Sequence, residues 1–363
     1  MFPNQCLNCG LALNQKHASF SHARQVIDIP IYKTATYQYN AFNIHCKCGC
    51  LNKPNFPDHV IAKTQYGPNI RAFTNYFSVR HFIPFKRLTE VMKDCFGAKI
   101  SQGFIANSIN RSADKAIGIY NYIKDQIQLA PWIGTDETTL FVNGLKNTLW
   151  TWQNNKFTFL AITRSRHAKH IDRLFYHGFP NAIISSDQYA PHLATNARGH
   201  QICWVHLLRK IAFLSEVQDH YWLNRIKLIY KKATLLKKRF KQLNKNSNYS
   251  LILETQLNQL LLTKLGKKTH PLIYKFQKSL KKNRQFLLTF LYHQQVPPDN
   301  NSSEQAIRNA KVKMKISGGF KSLQHSYAVI RSVIDTAIKN NCNILNIISD
   351  IEIGKDISFL TPE

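Results

Sequence analysis

Acidic residues are scarce in this chain, 20 Asp and Glu against 49 Lys and Arg, so their positions carry information. Asp136 follows an apolar run in Trp132-Ile133-Gly134-Thr135-Asp136-Glu137-Thr138, and Asp187 ends another in Ile183-Ile184-Ser185-Ser186-Asp187. Carboxylates at the ends of neighbouring strands converge on one point, and two of them hold a divalent ion. Mg2+ suits such a place because it prefers hard oxygen ligands and keeps its waters. Two ions about 4 Å apart activate the attacking oxygen and stabilise the leaving one in an in-line phosphoryl displacement. A third acid must come from elsewhere in the fold. Glu304 lies in Pro297-Pro298-Asp299-Asn300-Asn301-Ser302-Ser303-Glu304, where a loop ends and a helix begins near Ser302. It would occupy the first turn, where the helix dipole favours negative charge. Each acid also has a purely structural reading: Asp187 as a helix N-cap, Glu304 closing a capping box with Asn301, and Asp136 terminating a strand.

The eight cysteines are the second set with chemistry. Five of them, Cys6, Cys9, Cys46, Cys48 and Cys50, fall in the first fifty residues. The N-terminus has neither the basic nor the apolar stretch of an export signal, so the expected compartment is one where thiols stay reduced. Metal ligation or core packing is then the better reading than disulfides. No apolar run reaches about 18 residues, so no transmembrane helix is expected.

The elements that must position these residues follow from periodicity. Residues 25–31 and 36–44 read as short strands in a small N-terminal module, followed by a Pro/Asn stretch at 52–57. Residues from about 60 to 128 read as helical. A helix over 88–96 stops at Gly97, and Ser101 is the N-cap of the next, with Phe104, Ile105, Ser108 and Ile109 on one side. That arrangement is compatible with a helix-turn-helix. At Pro131 the texture changes. The run 132–142 is broken by Gly-Thr-Asp-Glu-Thr-Thr, and 147–153 and 156–163 read as hairpin strands around Asn154-Asn155. A helix at 167–177 and strands at 182–186 and 201–205 complete a mixed α/β sheet with helices on its faces. Residues 207–293 carry 19 Lys and Arg but only Glu216, Asp219 and Glu254 as acids. Within them Trp222, Ile226, Ile229, Ala233, Leu236 and Phe240 mark one face of an amphipathic helix. Further helices carry Leu253, Leu257 and Leu260, then Leu272, Phe276 and Leu280. This is a basic helical insertion between two parts of the α/β domain. A formal charge of +29 points to a polyanion, with nucleic acid ahead of an anionic membrane surface.

Four blocks, in order, resemble the insertion-sequence sixty-six family of bacterial DDE transposases. They are Tyr66-Gly67-Pro68 with Ile83-Pro84-Phe85-Lys86-Arg87; Gly134-Thr135-Asp136-Glu137-Thr138; Ser186-Asp187-Gln188-Tyr189 through Cys203-Trp204-Val205-His206-Leu207-Leu208-Arg209-Lys210; and Pro298-Asp299-Asn300-Asn301-Ser302-Ser303-Glu304 with Ile307-Arg308, Lys311-Val312-Lys313 and Ser317-Gly318-Gly319-Phe320. The resemblance runs from about Cys6 to Ile348. It implies a ribonuclease-H-like catalytic core at 129–350, with the helical insertion at about 207–293 before the final acid. A helical region at 58–128, compatible with a DNA-binding helix-turn-helix, and a zinc-binding module at 1–57 precede it, and a tail at 351–363 follows. It assigns the catalytic triad to Asp136, Asp187 and Glu304, holding two Mg2+ or Mn2+ ions for cleavage at the element ends and joining to target DNA. In the cysteine module Cys6-Leu7-Asn8-Cys9-Gly10 is one zinc-knuckle half. His45-Cys46-Lys47-Cys48-Gly49-Cys50 is the other. Cys46 and Cys48 fit best because Cys48-Gly49 mirrors Cys9-Gly10, and Cys50 is a substitute for Cys48 at ordinary spacing.

Arg308, Lys311, Lys313, Lys315 and Lys321 follow Glu304 closely and are expected on DNA phosphates. Tyr189 is expected near the metal or the DNA. Cys203 and His206 have the separation of a metal pair, but a buried cysteine and a histidine beside the active site is the preferred reading. The partners implied are double-stranded DNA (element termini and target), further copies of the chain in the DNA complex, and accessory proteins of the same element, with no membrane. The expected place is the bacterial cytoplasm, at the nucleoid. Family members usually carry a longer N-terminal region, often with a coiled coil, so a truncated copy is one expectation. Two other functions compete: a DNA-binding protein that no longer cuts, and a metal-dependent nuclease that hydrolyses without joining. The cysteine module and basic insertion favour a multi-site DNA complex over the simple nuclease.

Overall fold

The computed structural model describes residues 2–28, 33–57 and 60–357. In the N-terminal module β1 (Ile44–His45) and β2 (Leu51–Asn52) form a short antiparallel hairpin around the second cysteine cluster. Residues 36–43, expected as strand, have no regular structure. The other expected strand, 25–31, is irregular over 25–28, and its residues 29–31 lie outside the described residues. The alternating apolar residues have nothing to cover: Val26 and Ile27 are 91% and 97% exposed. A strand with neither a partner nor a buried face has no source of stability.

The helical region holds α1 (Pro68–Asn75), prolonged by a π-helical turn over Tyr76–Arg80, then α2 (Phe85–Phe96), α3 (Gln102–Lys115) and α4 (Ile117–Leu129). As expected, α2 stops at Gly97 and the Ser101 hydroxyl accepts from the Phe104 N–H (3.1 Å). Ile105, Ser108 and Ile109 form the buried side of α3.

The sheet is built from β3 (Trp132–Val142), β4 (Leu145–Gln153) and β5 (Thr158–Thr163), then β6 (Phe179–Ser186) and β7 (Ala197–Ile202). Two short helices intervene, α5 (Lys169–Leu174) and α6 (Ala190–Ala194). The strand order is β5-β4-β3-β6-β7. The first three strands are antiparallel, while β6 and β7 run parallel to β3. The polar stretch after Ile133 does not break β3. Every residue from Gly134 to Val142 pairs with β4, because a ladder is a backbone contact and an antiparallel strand tolerates polar residues. Asn143 and Gly144, both at positive φ, make the two-residue turn that suits the twist of such a hairpin. At the other side β7 ends at Ile202, not 205, because a helix has already begun at Trp204.

The insertion comprises α7 (Trp204–Val217), α8 (Tyr221–Phe240), α9 (Asn248–Leu262), α10 (Pro271–Lys282) and α11 (Thr289–Tyr292). The chain closes with α12 (Asn301–Ser317), α13 (Gln324–Lys339) and α14 (Ile344–Ile353). Residues 358–363 of the expected tail lie outside the described residues.

Alternation along β3 and β6 sorts the side chains into two cores. Ile133 and Ile184 join Trp150, Trp152, Phe159 and the helices α1 to α4, α13 and α14. Trp132 and Ile183 join the insertion, where Trp222, Ile226, Ile229 and Ala233 of α8 are buried as the periodicity requires. Each large apolar side chain buried there contributes roughly 1.5–3 kcal/mol. The outer strand β5 is protected by α13: the Ser332 and Thr336 hydroxyls accept from the Leu160 and Thr158 N–H groups (2.9 and 3.1 Å). This satisfies donors that an open sheet edge would offer to another chain.

Candidate active site

Parallel pairing of β3 with β6 matches Trp132 to Ile183, Ile133 to Ile184 and Gly134 to Ser185. Asp136 and Asp187 each lie two residues beyond the last pair, and the Asp187 charge acts on the Asp136 carboxyl. Asp136 thus lies inside β3, not at its end, but just beyond the point where β3 loses its parallel neighbour. Asp187 directly follows β6. Its Oδ1 accepts from the Tyr189 N–H (2.9 Å), and Asp136 Oδ1 accepts from the Glu137 N–H (2.9 Å). Asp187 therefore caps a turn and does not cap α6. Burial pushes the Asp136 carboxyl up to about 7; the Glu137 N–H pulls the other way, and the charges of Glu137 and Asp187 add to the rise. Mutually repelling carboxylates of this kind are a donor set that a divalent cation relieves.

Glu137 was not singled out by the sequence reading, nor was His192. Among the described residues, the side chains of Glu137, Asp187 and His192 have ligand atoms all within 4.8 Å of one another. His192 Nε2 lies 2.6 Å from Glu137 Oε2, and both side chains are buried. Arg166 also pairs with Glu137 and stacks over the Tyr189 ring at 4.4 Å. The Tyr189 hydroxyl donates to the Arg166 carbonyl (2.8 Å), so this tyrosine does stand beside the carboxylates. Burial works against the Glu137 carboxylate, yet the hydrogen bonds and charges of His192 and Arg166 outweigh it and hold its pKa below the usual range. No spacing signal announces this group, since His192 reaches Glu137 only through the short Pro-started α6.

Asp136 and Glu304 fall outside that three-residue group. Glu304 is in the first turn of α12, as expected, but both its oxygens are held by Arg209 of α7: Nη1 to Oε1 at 3.0 Å and Nη2 to Oε2 at 3.2 Å. His206 Nε2 is 3.6 Å from Oε1. There is no capping box with Asn301, because Asn300 is the cap residue and its side chain bonds elsewhere. Asn300 Nδ2 donates to the Thr135 carbonyl (2.7 Å), and the Ser303 hydroxyl donates to Asn300 Oδ1 (2.7 Å). Gln153 Nε2 donates to Ser302 and Ser303 (3.0 and 3.2 Å). These bonds fasten the start of α12 against Gly134, two residues from Asp136 on the same strand face.

Cys203 is fully buried at the start of α7. Burial raises its thiol, while the amides of His206, Asn300 and Val205 pull the other way. With His206 turned to Glu304, these two are the buried cysteine and site-side histidine of the preferred reading. Arg308, Lys311, Lys315 and Lys321 are exposed. Arg308, Lys311 and Lys315 follow Glu304 at steps of four, three and four, on one face of α12. Lys313 is different. Its ammonium lies 5.8 Å from the Phe320 ring centre and 5.7 Å from that of Tyr327, and burial lowers it to about 8. It packs inward because the aromatic pair covers its apolar stem, at a desolvation cost to the ammonium that the lowered pKa reflects.

The cysteines form two similar turns. Gly10 N–H donates to the Cys6 carbonyl (3.0 Å) and Gly49 N–H to the Cys46 carbonyl (2.9 Å), both glycines at positive φ. The amides of Cys9 and Asn8 and the Cys9 side chain lower the Cys6 thiol; the amide and side chain of Cys48 do the same for Cys46. Amides aimed at sulfur favour thiolate, the form that binds metal. Each half suits a zinc ligand pair, although the halves do not share one group within 4.8 Å. Cys50 is exposed at the end of the second turn.

No helix among the described residues is long and apolar enough to cross a membrane. No curated protein matches the chain. The family model described as Transposase IS66 family matches residues 63–327, well over half of the sequence, and the chain belongs to that family.

Proposed function

We propose that this member of the IS66 transposase family cuts the ends of its element and joins them to target DNA, with Asp136, Asp187 and Glu304 holding two Mg2+ or Mn2+ ions. When bound, the ions supply activation of the attacking oxygen and stabilisation of the leaving one. The chain's own residues orient the carboxylates: the Tyr189 amide fixes Asp187, the Glu137 amide fixes Asp136, and α12 delivers Glu304 from its first turn. Glu137, His192 and Arg166 form the wall beneath them. We read the order β5-β4-β3-β6-β7, with helices on both faces, as a ribonuclease-H-like core interrupted by α7 to α11 before the final acid. The observation that carries the reading is the parallel pairing of β3 with β6, beyond whose last pair, Gly134 and Ser185, Asp136 and Asp187 each stand two residues on.

Arg308, Lys311 and Lys315 are a run of phosphate contacts leading from Glu304, spread over about 10 Å of helix. In the helical region α2, Gly97 and α3 are the candidate helix-turn-helix, with Gln102, Asn107 and Arg111 exposed. These side-chain types suit base edges and phosphates. The Cys6–Cys9 and Cys46–Cys48 turns are two half-sites that a structural zinc would have to draw together. A second reading, a chain that grips DNA without cutting, is favoured by one observation: Glu304 pairs with Arg209 instead of the other acids.

Cleavage of a duplex carrying the element's terminal repeat, in Mg2+ or Mn2+, separates the two. Wild type should cut at the element end, while Asp187→Asn and Glu304→Gln should lose about a thousandfold or more in rate with DNA affinity retained. Tight binding with no cutting by wild type would establish the second reading.

A further inference from the structure

The Arg209–Glu304 pair has no role in the function proposed above, and its geometry is in conflict with that function. A carboxylate meant to face a dication has both oxygens engaged by a guanidinium. The Glu304 side chain is 29% exposed and that of Arg209 58%, so the pair is screened and easily exchanged; surface pairs of this kind change an equilibrium by no more than about fivefold. The guanidinium and a divalent ion compete for the same two oxygens. A guanidinium that forks onto a carboxylate forks equally well onto a phosphate.

Phosphate is what the surroundings favour. Lys210, the next residue, is exposed with its ammonium over Phe213 (5.0 Å). Arg308, Lys311 and Lys315 line the exposed face of α12 beyond Glu304. Around Glu304 the exposed charges of α7 and α12 are the cations Arg209, Lys210, Arg308, Lys311 and Lys315, and the other acid of α7, Glu216, lies two turns beyond Arg209.

We propose that Arg209 is a positioning residue that exchanges partners: it holds Glu304 in the free protein and releases it when a backbone phosphate of bound DNA takes the guanidinium. DNA binding and completion of the metal site are thereby coupled. The inference rests on the reading of Glu304 as a metal ligand. It predicts a coupling that is reciprocal, since whatever factor DNA adds to metal affinity the metal must add to DNA affinity.

The test uses the full chain as wild type, Arg209→Gln, Arg209→Lys and Asp187→Asn. Free Mn2+ is followed by electron paramagnetic resonance during titration without DNA. Arg209→Gln should bind Mn2+ about two- to fivefold more tightly than wild type, and Arg209→Lys should stay close to wild type. The anisotropy of a dye-labelled duplex is then read with and without Ca2+ at constant ionic strength. Ca2+ should tighten DNA binding by wild type more than by Arg209→Gln, by the same two- to fivefold. If Arg209→Gln melts at a lower temperature but binds Mn2+ no more tightly than wild type, Arg209 is merely structural and the proposal falls. Asp187→Asn keeps the two failures apart. Its loss of Mn2+ binding alongside an unresponsive Arg209→Gln overturns the exchange alone, whereas unchanged Mn2+ binding by Asp187→Asn overturns the metal reading and the exchange with it.

Discussion

Glu137 stands one position from Asp136, and the two-residue period of a strand turns the neighbours to opposite faces. One carboxylate is pushed up to about 7 by burial, while the other is held below its usual range by His192 and Arg166 despite burial. Environment therefore separates two acids that look alike in sequence. A histidine on β7 shows the same principle with opposite sign. His200 is buried edge-on to Phe286 (ring centres 5.1 Å apart), its Nδ1 finds no hydrogen-bond partner among the described residues, and burial pushes its pKa down to about 4. The unfolded chain takes up a proton near 6.5 and the folded chain does not until about 4. Its stabilising contribution is complete above pH 6.5 and is lost as pH falls toward 4, on the order of 3 kcal/mol at most. Denaturant melts between pH 7 and 4 should show a shallower loss for His200→Gln than for wild type. Parallel curves would mean that the ring is protonated in place.

At the scale of elements, the site depends on how closely α12 approaches β3. A Cβ at position 134 would lie 2.5 Å from Gln153 Nε2, 2.6 Å from Asn300 Oδ1 and 2.6 Å from Ser303 Oγ. All three side chains are buried in one hydrogen-bonded network, so none can move aside cheaply. Gly134→Ala should cost about 1–3 kcal/mol of stability and move the first turn of α12 outward. Cleavage should fall at least tenfold with DNA affinity intact, because a misplacement of about 1 Å is costly at a reacting centre. A variant with wild-type melting temperature and cleavage would show that α12 need not sit so close. The start of α12 and the place of Glu304 in its first turn follow from the sequence to within one residue. The sequence does not show this approach, which depends on the absence of a side chain on another element.

Over the whole molecule, two apolar cores occupy the two faces of one sheet, and the helices before the sheet share a core with α13 and α14 after it. Glu352 of α14 binds this together: it is buried and pairs with Arg71 of α1 (2.8 Å) and Lys115 of α3 (3.6 Å). Among the described residues, the N-terminal cysteine module contributes no side chain to either core. Zinc would then organise the module locally. Metal analysis of the purified chain should find about one zinc, reduced by Cys6→Ser or Cys46→Ser, and chelation should leave the main thermal transition in place. A chain purified without zinc would sink the knuckle reading. A main transition that collapses with chelation would instead tie the module to the core.

The sequence by itself determined what depends on local pattern. The faces of α3 and α8, the stop at Gly97 and the cap at Ser101 follow from periodicity and backbone preference, which neighbours in the chain decide, whereas the turn that Asp187 caps stands where the sequence suggested a helix N-cap. Asp136, Asp187 and Glu304 are proposed as an acid set from the scarcity of acids and the family blocks around them, while the group of ligand atoms within 4.8 Å of one another among the described residues is Glu137, Asp187 and His192. Tertiary structure alone decided the rest. Pairing of β3 with β6 brought the Asp187 charge to bear on Asp136, and α6 carried His192 to Glu137. Two aromatic rings drew Lys313 inward from an otherwise exposed basic row, and α7 set Arg209 against Glu304. Those contacts join residues whose separation along the chain bears no relation to their distance in space. Their energies come from burial and charge pairing, which exist only once the sheet and its covering helices have assembled.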